Sequence, residues 1–290
     1  MKLDQITAGV LEAIDGQGFV QKGAYNLRQN GQAVCHGDSE NVRIVKKQDK
    51  PGIDISISGK TKGEAVHIPV VVSASGITDV VYNDFYIEDG ADVLIVAGCG
   101  IHNDGDQESR HDGIHAFHVG SHANVRYEER HYGEGKGTGG RVLNPVTKID
   151  VEEDSVFTLD TTQIKGVDST IRETHVEMGA GSKLYVMEKL MTHGNQQAIS
   201  NMDVQLNGEE SSAQIISRST QVFHPKAIGN ALCHAHVQCD SIIMDDAKIS
   251  SIPEINANHV DAQIIHEAAI GRINNDQLIK LRTFGMTGEE

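Results

Sequence analysis

Ala91-Asp92-Val93 opens a phrase that returns as Ala123-Asn124-Val125, Ser155-Val156-Phe157, Ser182-Lys183-Leu184, Ser212-Ala213-Gln214-Ile215 and Ala247-Lys248-Ile249. Each copy follows a turn and sets Ala or Ser, in most cases a polar residue, and then alternating apolar positions. The Ala/Ser positions stand 32, 32, 27, 30 and 35 residues apart. That loose period is the one expected of a supersecondary unit stacked on copies of itself. The sequence between copies alternates with period two, as in Asp54-Ile55-Ser56-Ile57, Lys148-Ile149-Asp150-Val151 and Ser169-Thr170-Ile171-Arg172. Gly, Asn and Asp punctuate it, as they do the turns between strands. The pattern predicts an all-β chain, a β-solenoid or parallel β-helix, in preference to a closed barrel.

Composition agrees. Aromatic residues make up 4% with no Trp, and Gly reaches 30 against 5 Pro. A sandwich or a Rossmann domain usually carries more aromatic bulk, so thin stacked aliphatic layers fit better. A length of 290 residues allows one or two domains, and 38% hydrophobic content is enough for a core of ordinary size. The net charge of −16 argues against nucleic acid or an anionic membrane surface as partner, since both select for positive charge. Residues 1–10, MKLDQITAGV, lack the apolar stretch of a secretion signal. No later run approaches the roughly 18 apolar residues of a membrane helix. The expected location is the cytoplasm. Cysteines at 35, 99, 233 and 239 lack the density of a disulfide framework and form no CxxC pair, which suits free thiols in a reducing compartment.

Helices are expected only at the ends. Leu3, Ile6, Val10, Leu11 and Ile14 fall at helical spacing before Gly16 and predict an amphipathic helix over residues 2–15. A second helix is expected from about Asn274, carrying Leu278, Ile279 and Leu281, with Gly285 as its stop. Thr287-Gly288-Glu289-Glu290 then reads as a capping box with no helix behind it, so the natural chain is expected to continue, or its last turn to dock on a partner. The resulting division is an N-terminal helical or extended segment over 1–40, a β-helix core over 41–268 and a C-terminal helical segment over 269–290.

Several residues could carry chemistry. Cys239 lies ahead of the pair His266-Glu267, and thiolate, imidazole and carboxylate are all competent iron ligands. Iron-sulfur clusters usually take four Cys, which no local run offers, so a two-fold dimer would have to supply a second set. Against this, Glu267 also reads as a surface or helix-start carboxylate and His266 as a strand-edge histidine. Cys99, in Gly98-Cys99-Gly100, is either a small buried hydrophobe in a turn or a thiol left open to a donor by its two glycines. His102, His111, His115, His118, His122 and His131 match no standard zinc spacing, and alternation sends His115 and His118 to opposite faces. They read as polar faces and loop contacts. The run 133–140, GEGKGTGG, lacks the Gly-Lys-Ser/Thr order of a phosphate loop and reads as a flexible turn. Cys233-His234-Ala235-His236 is a further metal candidate.

Gln238-Cys239-Asp240-Ser241, His266-Glu267-Ala268 and Asp276-Gln277-Leu278 together resemble the C-terminal core of the SufB/SufD family, scaffold proteins of iron-sulfur cluster assembly. The resemblance extends from about Gly23 to Glu290, through Lys50-Pro51-Gly52-Ile53-Asp54, the segment 79–84, Gly98-Cys99, Gly113-Ile114-His115 and the segment 164–170. The chain looks like a short, single-type SufB form. The resemblance implies a right-handed parallel β-helix with short terminal helices, a homodimer or a heterodimer with a paralogue, and an ABC-type ATPase partner, SufC, bound through the C-terminal segment. It further implies that Cys99 accepts persulfide sulfur from a donor protein and that sulfur passes along the solenoid interior. Iron and sulfide would then assemble at a dimer seam near Cys239 and Glu267, with His266 a less favoured ligand. Such a scaffold has no classical turnover and binds no nucleotide itself; the cluster is its transient cargo. Two other readings are a metal-dependent β-helix enzyme using the histidines, such as a carbohydrate lyase or a trimeric transferase, and a structural solenoid adaptor. A lyase of this shape would line its groove with basic residues, and this chain has no such run.

Overall fold

A computed structural model describes residues 4–15, 23–163, 165–219, 222–243 and 248–271, together with Ile279 and Thr283. The chain winds into a parallel β-solenoid of about seven turns. Two sheets of 11 strands each form its walls. From Asp92 onward it alternates between them: Asp92–His102 in the first sheet, Ser109–Val119 in the second, Asn124–Glu134 back in the first, and so on to Gln263–Gly271. All pairings are parallel except for two hairpins at the first turn, Ala24–Gln29 with Gln32–Gly37 and Val42–Lys46 with Gly52–Ile57.

In-register stacking explains the repeated phrase and corrects its spacing. Asp92, Asn124, Val156, Lys183, Ser212, His234 and Gln263 pair in one line up the first sheet. The residues just before them, Ala91, Ala123, Ser155, Ser182, Ser211, Cys233 and Ala262, therefore share one corner of the solenoid. The six from Ala91 to Cys233 are almost wholly buried, so the corner admits only small side chains. The repeat thus falls on Ser211, not Ser212, and its next copy is Cys233. Ala247 lies outside the described residues. The turn from Ser211 to Cys233 is 22 residues long where the first is 32. Hydrogen bonds between turns fix the register, and loop lengths between strands are free to vary around it. The corner serines also donate to turn carbonyls, Ser155 to Gly120, Ser182 to Gly179 and Ser211 to Gly208, each at 2.7 Å. Each such bond contributes about 1 kcal/mol.

The apolar core runs the length of the solenoid from Ala24 to Cys239. Its densest part is a ring cluster in which Phe117 stacks on Phe85 at 4.4 Å between centroids and meets Tyr127 at 4.8 Å and Phe157 at 5.2 Å. Parallel in-register strands place like residues over like, and here that builds an aromatic column from few aromatics.

The N-terminal helix, α1, spans Gln5–Asp15. It starts later than residue 2 because Asp4 caps it, accepting the Thr7 amide at 2.9 Å and the Thr7 hydroxyl at 2.6 Å. Val10, Leu11 and Ile14 are buried against Leu27 and Val71, while Ile6 stays exposed. The helix lies directly on Gly98 and Gly100. A Cβ at Gly98 would stand 2.7 Å from Ile14 Cβ, and one at Gly100 would stand 2.2 Å from Val10 Cγ1. Of the expected C-terminal helix only Ile279 and Thr283 are described, both helical; its start at Asn274 and the Thr287 capping box lie outside the described residues.

Gly98→Ala should therefore push α1 off the sheet without disturbing the solenoid. In hydrogen exchange, amides of residues 9–14 should lose protection by about tenfold or more, the equivalent of about 1.4 kcal/mol, while those of Asn124–Glu134 keep theirs. Unchanged protection in α1 would show that the close approach is not needed for docking.

Candidate functional site

Along each strand of the first sheet the inward positions change character. Near the corner they are apolar: Val125 and Tyr127, Phe157 and Leu159, Leu184 and Val186, Ala213 and Ile215, Ala235 and Val237. Further along they turn polar, in two neighbouring columns. One column reads Ala97, Glu129, Thr161, Glu188, Ser217, Cys239; the other reads Cys99, His131, Gln163, Leu190, Ser219, Ser241. All twelve are buried or nearly so. Cys99 heads one column and Cys239 ends the other, five strand spacings apart, or roughly 24 Å at about 4.8 Å per strand.

The second sheet adds His111, His115, Arg172 and Ser200 to this polar flank. Arg28 donates to Asp79 at 2.9 and 2.7 Å, and His111 Nδ1 meets the same carboxylate at 3.2 Å. His115 Nδ1 lies 2.7 Å from the Tyr127 hydroxyl, which donates to Glu129 Oε1 at 3.2 Å. The Asn83 amide lies 3.4 Å from His115 Nε2, so Nδ1 is the nitrogen that carries the proton. Arg172 ion-pairs with Glu129, approaches His131 Nδ1 at 3.4 Å and stands 3.7 Å from Glu188. Glu188 in turn accepts from Ser200 at 2.7 Å and from Ser217 at 3.1 Å, and Ser217 meets Ser219 at 3.4 Å. Near the far end Cys239 Sγ lies 3.5 Å from Ser241 Oγ. Midway, Thr161, Thr174 and both amide atoms of Gln163 are buried without a hydrogen-bond partner. The network thus holds unused hydrogen-bonding capacity between the two thiols.

Burial sets the protonation pattern. It pushes the Cys99 thiol well above its usual range, with Glu129 and Asp79 adding to the effect. It lowers His115 to about 4, against a partly compensating Glu129, and it lowers His131. Burial alone would raise Glu129 and Asp79, but Arg172 and His131 hold Glu129 well below the carboxylate range, and His111 and Arg28 do the same for Asp79. At neutral pH the Cys99 site therefore holds a neutral thiol, neutral His115 and His131, and a charged Glu129–Arg172 pair. His115 Nε2 and His131 Nδ1 already face the donors Asn83 and Arg172, whereas His111, turned to Asp79 through Nδ1, keeps Nε2 as the acceptor for a thiol proton. Cys99, His111, His115, Glu129 and His131 line one space, packed so closely that no water-sized volume remains between them.

Cys99 lies inside a strand rather than in a turn, and is 4% exposed. Its flanking glycines make room for α1, not for an approaching thiol. Cys239 is likewise buried, on the inner face of Cys233–Ile242. On the next strand His266 pairs with Val237, so it shares the inner face with Cys239; Glu267 pairs with Gln238 and lies on the outer face. There it stands 3.5 Å from His236. Within one chain Cys239 and His266 are thus brought to one side of the sheet and Glu267 to the other. Burial, with His236 nearby, lowers the His266 pKa, and its Nε2 has no hydrogen-bond partner. Among the described residues no three His, Cys, Asp or Glu side chains converge as a ready-made metal site.

The histidine-rich segment divides. His102, His118 and His122 face carboxylates on the outside, Glu134 and Asp104, Asp150, and Asp154 respectively, as polar faces and loops do. His111, His115 and His131 do not fit that reading, because they share the inward parity of Phe117 and Tyr127 and are buried. The glycine-rich run is not a free turn either. Cβ atoms at Gly135, Gly137 and Gly139 would stand 2.2, 2.1 and 2.1 Å from the carbonyls of Asn103, Gly105 and Gln107, so the run is stacked on the loop below. In Cys233-His234-Ala235-His236 the cysteine points inward and both histidines outward, which divides that candidate as well. Sequence reading missed Glu129, Arg172, Glu188 and Asp79. For Glu129 and Glu188 the signal was present four residues past Val125 and Leu184, the first inward apolar positions of their copies, where the alternation continues but the residue turns polar; Arg172 and Asp79 lie on the second sheet, outside that phrase.

Comparison with known proteins gives the family of the chain. The SufBD core domain family of SUF-system FeS cluster assembly matches residues 85–290. The chain belongs to the SufBD core family. It is 24% identical over 286 residues to an iron-sulfur cluster assembly SufBD family protein of Methanocaldococcus jannaschii, covering 89% of both chains. It is 26% identical to SufBD family proteins of Pyrococcus horikoshii, over 62% of this chain and 56% of that one, and of Archaeoglobus fulgidus, over 72% and 57%. The chain thus spans little more than half the length of the latter two. No helix among the described residues is long and apolar enough to cross a membrane.

The depressed His115 pKa makes a sign-specific prediction. The unfolded chain takes up this proton near pH 6.5 and the folded one only near 4. Protonation therefore favours the unfolded state between those values, and stability falls as pH drops from about 6.5 toward 4. Between pH 7 and 5 this group should cost about 2 kcal/mol. Urea unfolding of His115→Gln should show a loss smaller by about that amount over the same interval; an identical loss would place the acid sensitivity elsewhere.

Proposed function

We propose that this SufBD protein is a scaffold for iron-sulfur cluster assembly that takes up sulfur at Cys99, conducts it through the solenoid interior and builds the cluster beside Cys239. The observation that carries the reading is the continuous polar flank between the two thiols in an otherwise apolar interior. Two carboxylates and a guanidinium are costly to bury, and a purely structural core would do better with aliphatic residues at those positions. His111 at Cys99 supplies a proton acceptor for a thiol that must become a thiolate before it can take sulfur.

The growing cluster is cargo, and its ligands come from two chains. Cys239 and the inward His266 offer two donors on one side of a terminal strand, too few for a cluster. Gln263–Gly271 pairs only with Cys233–Ile242 among the described residues, leaving a long open edge. Ile242, Val260, Ile265 and Ile270 are exposed around it. Such an edge invites a second chain, and a two-fold axis there would bring two copies of Cys239 and of the outward Glu267 to one seam. The partner is a second copy or a paralogue. An ABC-type ATPase of the SufC kind binds the C-terminal segment and works the seam by hydrolysis, so the nucleotide site belongs to that partner. The setting is the cytoplasm.

Cys239→Ser should fold normally, since the change is nearly isosteric and Ser241 offers the new hydroxyl a partner. It should retain at least tenfold less iron and sulfide after anaerobic reconstitution, because losing even an outer partner of a metal ligand costs about tenfold in affinity. Cys99→Ser should instead block loading from persulfide while still allowing reconstitution from free sulfide. Equal defects in the two assays would reduce Cys99 to a structural residue, and full loading of Cys239→Ser would remove the cluster site. In mixed dimers of wild type with a Cys239→Ser, Glu267→Ala chain, iron well below half the wild-type amount is expected. Iron in proportion to intact chains would place the site within one subunit.

A further inference from the structure

A cavity of about 770 Å³ opens at the first turn of the solenoid, between the two antiparallel hairpins. In a chain of net charge −16 its wall is basic: Arg28, Lys46, Lys47 and Lys50 face it, with Asp49 the one carboxylate. Arg28 is neutralised by Asp79, and Lys47 by Asp54 and Asp84. Lys46 and Lys50 have no carboxylate partner among the described residues, and the Lys50 ammonium rests 4.6 Å above the Tyr82 ring. Four carboxylates, Asp49, Asp54, Asp79 and Asp84, balance the four cations, but Lys46 and Lys50 leave two exposed, unpaired ammonium groups at the mouth of a concave, partly apolar space, where a small anion can pair with them.

The same cavity adjoins Cys99. Val70 on its wall pairs directly with Cys99 in the neighbouring strand. Arg28 leads through Asp79 to His111, and Asn83 reaches His115; both histidines line the space at Cys99. The opposite approach is closed, because α1 covers Gly98 and Gly100 from outside with Ile14 and Val10. Cys99 Sγ faces the solenoid interior with His131, so a thiol fixed on another protein would have to enter that interior to touch it. A small anion entering at the hairpins would have to pass Val70 and the hydrogen-bonded groups between cavity and thiol.

We propose that this cavity is the admission port for sulfur, binding a small anionic sulfane species of the hydropolysulfide class and delivering it to Cys99. The inference rests on the reading of Cys99 as sulfur acceptor and adds the form in which the sulfur arrives. With hydrodisulfide, HS–S⁻, the balance is simple. His111, whose Nδ1 faces Asp79, takes the Cys99 proton at Nε2, and the thiolate attacks the protonated sulfur. The Sγ–S bond forms as the S–S bond breaks. The departing sulfide takes up the proton held by the imidazole and leaves as hydrosulfide, so that Cys99-SH and HS–S⁻ become Cys99-S-SH and HS⁻ with no external oxidant. A donor protein need only discharge its sulfur near the hairpins.

The test uses the whole chain under anaerobic conditions, with peptide mass spectrometry reading Cys99 alone. Disulfide ion supplies sulfur, and iodoacetate and iodoacetamide serve as anionic and neutral probes of similar size. In the variant Lys46→Glu, Lys50→Glu, whose substitutions are at exposed positions, persulfide formation and carboxymethylation at Cys99 should both slow by about tenfold, with iodoacetamide labelling unchanged. Ala33→Trp, which fills the cavity from its exposed wall, should slow all three. Unchanged rates in both variants, or an equal fall for iodoacetamide in the charge-reversal variant, would overturn the port. The acceptor reading would survive if Cys99 still took up persulfide normally. Charge-sensitive carboxymethylation without any persulfide at Cys99 would instead overturn that reading, and with it sulfur as the cargo.

Discussion

Arg172 is the residue on which the interior depends. A solenoid wall built from in-register strands has inner positions at every second residue, and burying a carboxylate there without a counter-charge costs several kcal/mol. Arg172, almost wholly buried, stands between Glu129 and Glu188 and holds Glu129 ionised. Removing it would leave two carboxylates in a low-dielectric space, at a cost of about 3–5 kcal/mol. Glu129 in turn gathers Tyr127 and His131, and Glu188 gathers Ser200 and Ser217. One guanidinium thus joins the half of the network around Cys99 to the half leading toward Cys239.

The apolar half of the interior makes that arrangement affordable. Stability comes from the aliphatic and aromatic columns near the corner, where Phe85, Phe117, Tyr127 and Phe157 pack ring on ring. The polar columns are displaced along the strand by only two to four residues, within the same rungs. Each rung therefore carries its own hydrophobic anchor and its own polar station. A repeat architecture propagates both together, since each turn contacts only its neighbours. A channel-like polar flank can extend over several turns without a break in the core that holds them.

This division also explains what the sequence disclosed and what it hid. The solenoid was legible because strand alternation and the small residue at the corner recur with the turns, and Ala91, Ala123, Ser155 and Ser182 were placed correctly from spacing alone. Ser211 and Cys233 were not, because spacing in the chain measures loop length as well as register. Cys99 and Cys239 stood out as the thiols of a recognisable family pattern. Glu129, Arg172 and Glu188 did not stand out, because a charged residue at an alternating position normally faces solvent, and nothing local distinguishes an inward Glu from an outward one. Only counting parity from a buried neighbour on the same strand, Tyr127, Val176 or Val186, places them inside. For the same reason adjacency in sequence misled at His266-Glu267: two consecutive strand residues cannot share a face.

The placement of α1 carries the last step. A helix that buries Val10 and Ile14 against two glycines is a tight seal over the strand that holds Cys99, and Asp15 ties its end to His67 at 3.0 Å. Glycines beside a reactive thiol are easily taken as a sign of openness to a partner, yet here their missing side chains let an element of the same chain come closer. A sealed thiol with an elevated pKa is a poor nucleophile toward bulk oxidants and toward stray metal, both of which attack the thiolate. On the proposed reading of Cys99 as sulfur acceptor, the same burial that protects it would oblige sulfur to arrive through the protein. The cavity at the hairpins and the histidines beyond it would meet that demand in order: Lys46 and Lys50 offer an anion a place at the surface, and His111 offers the thiol a proton acceptor.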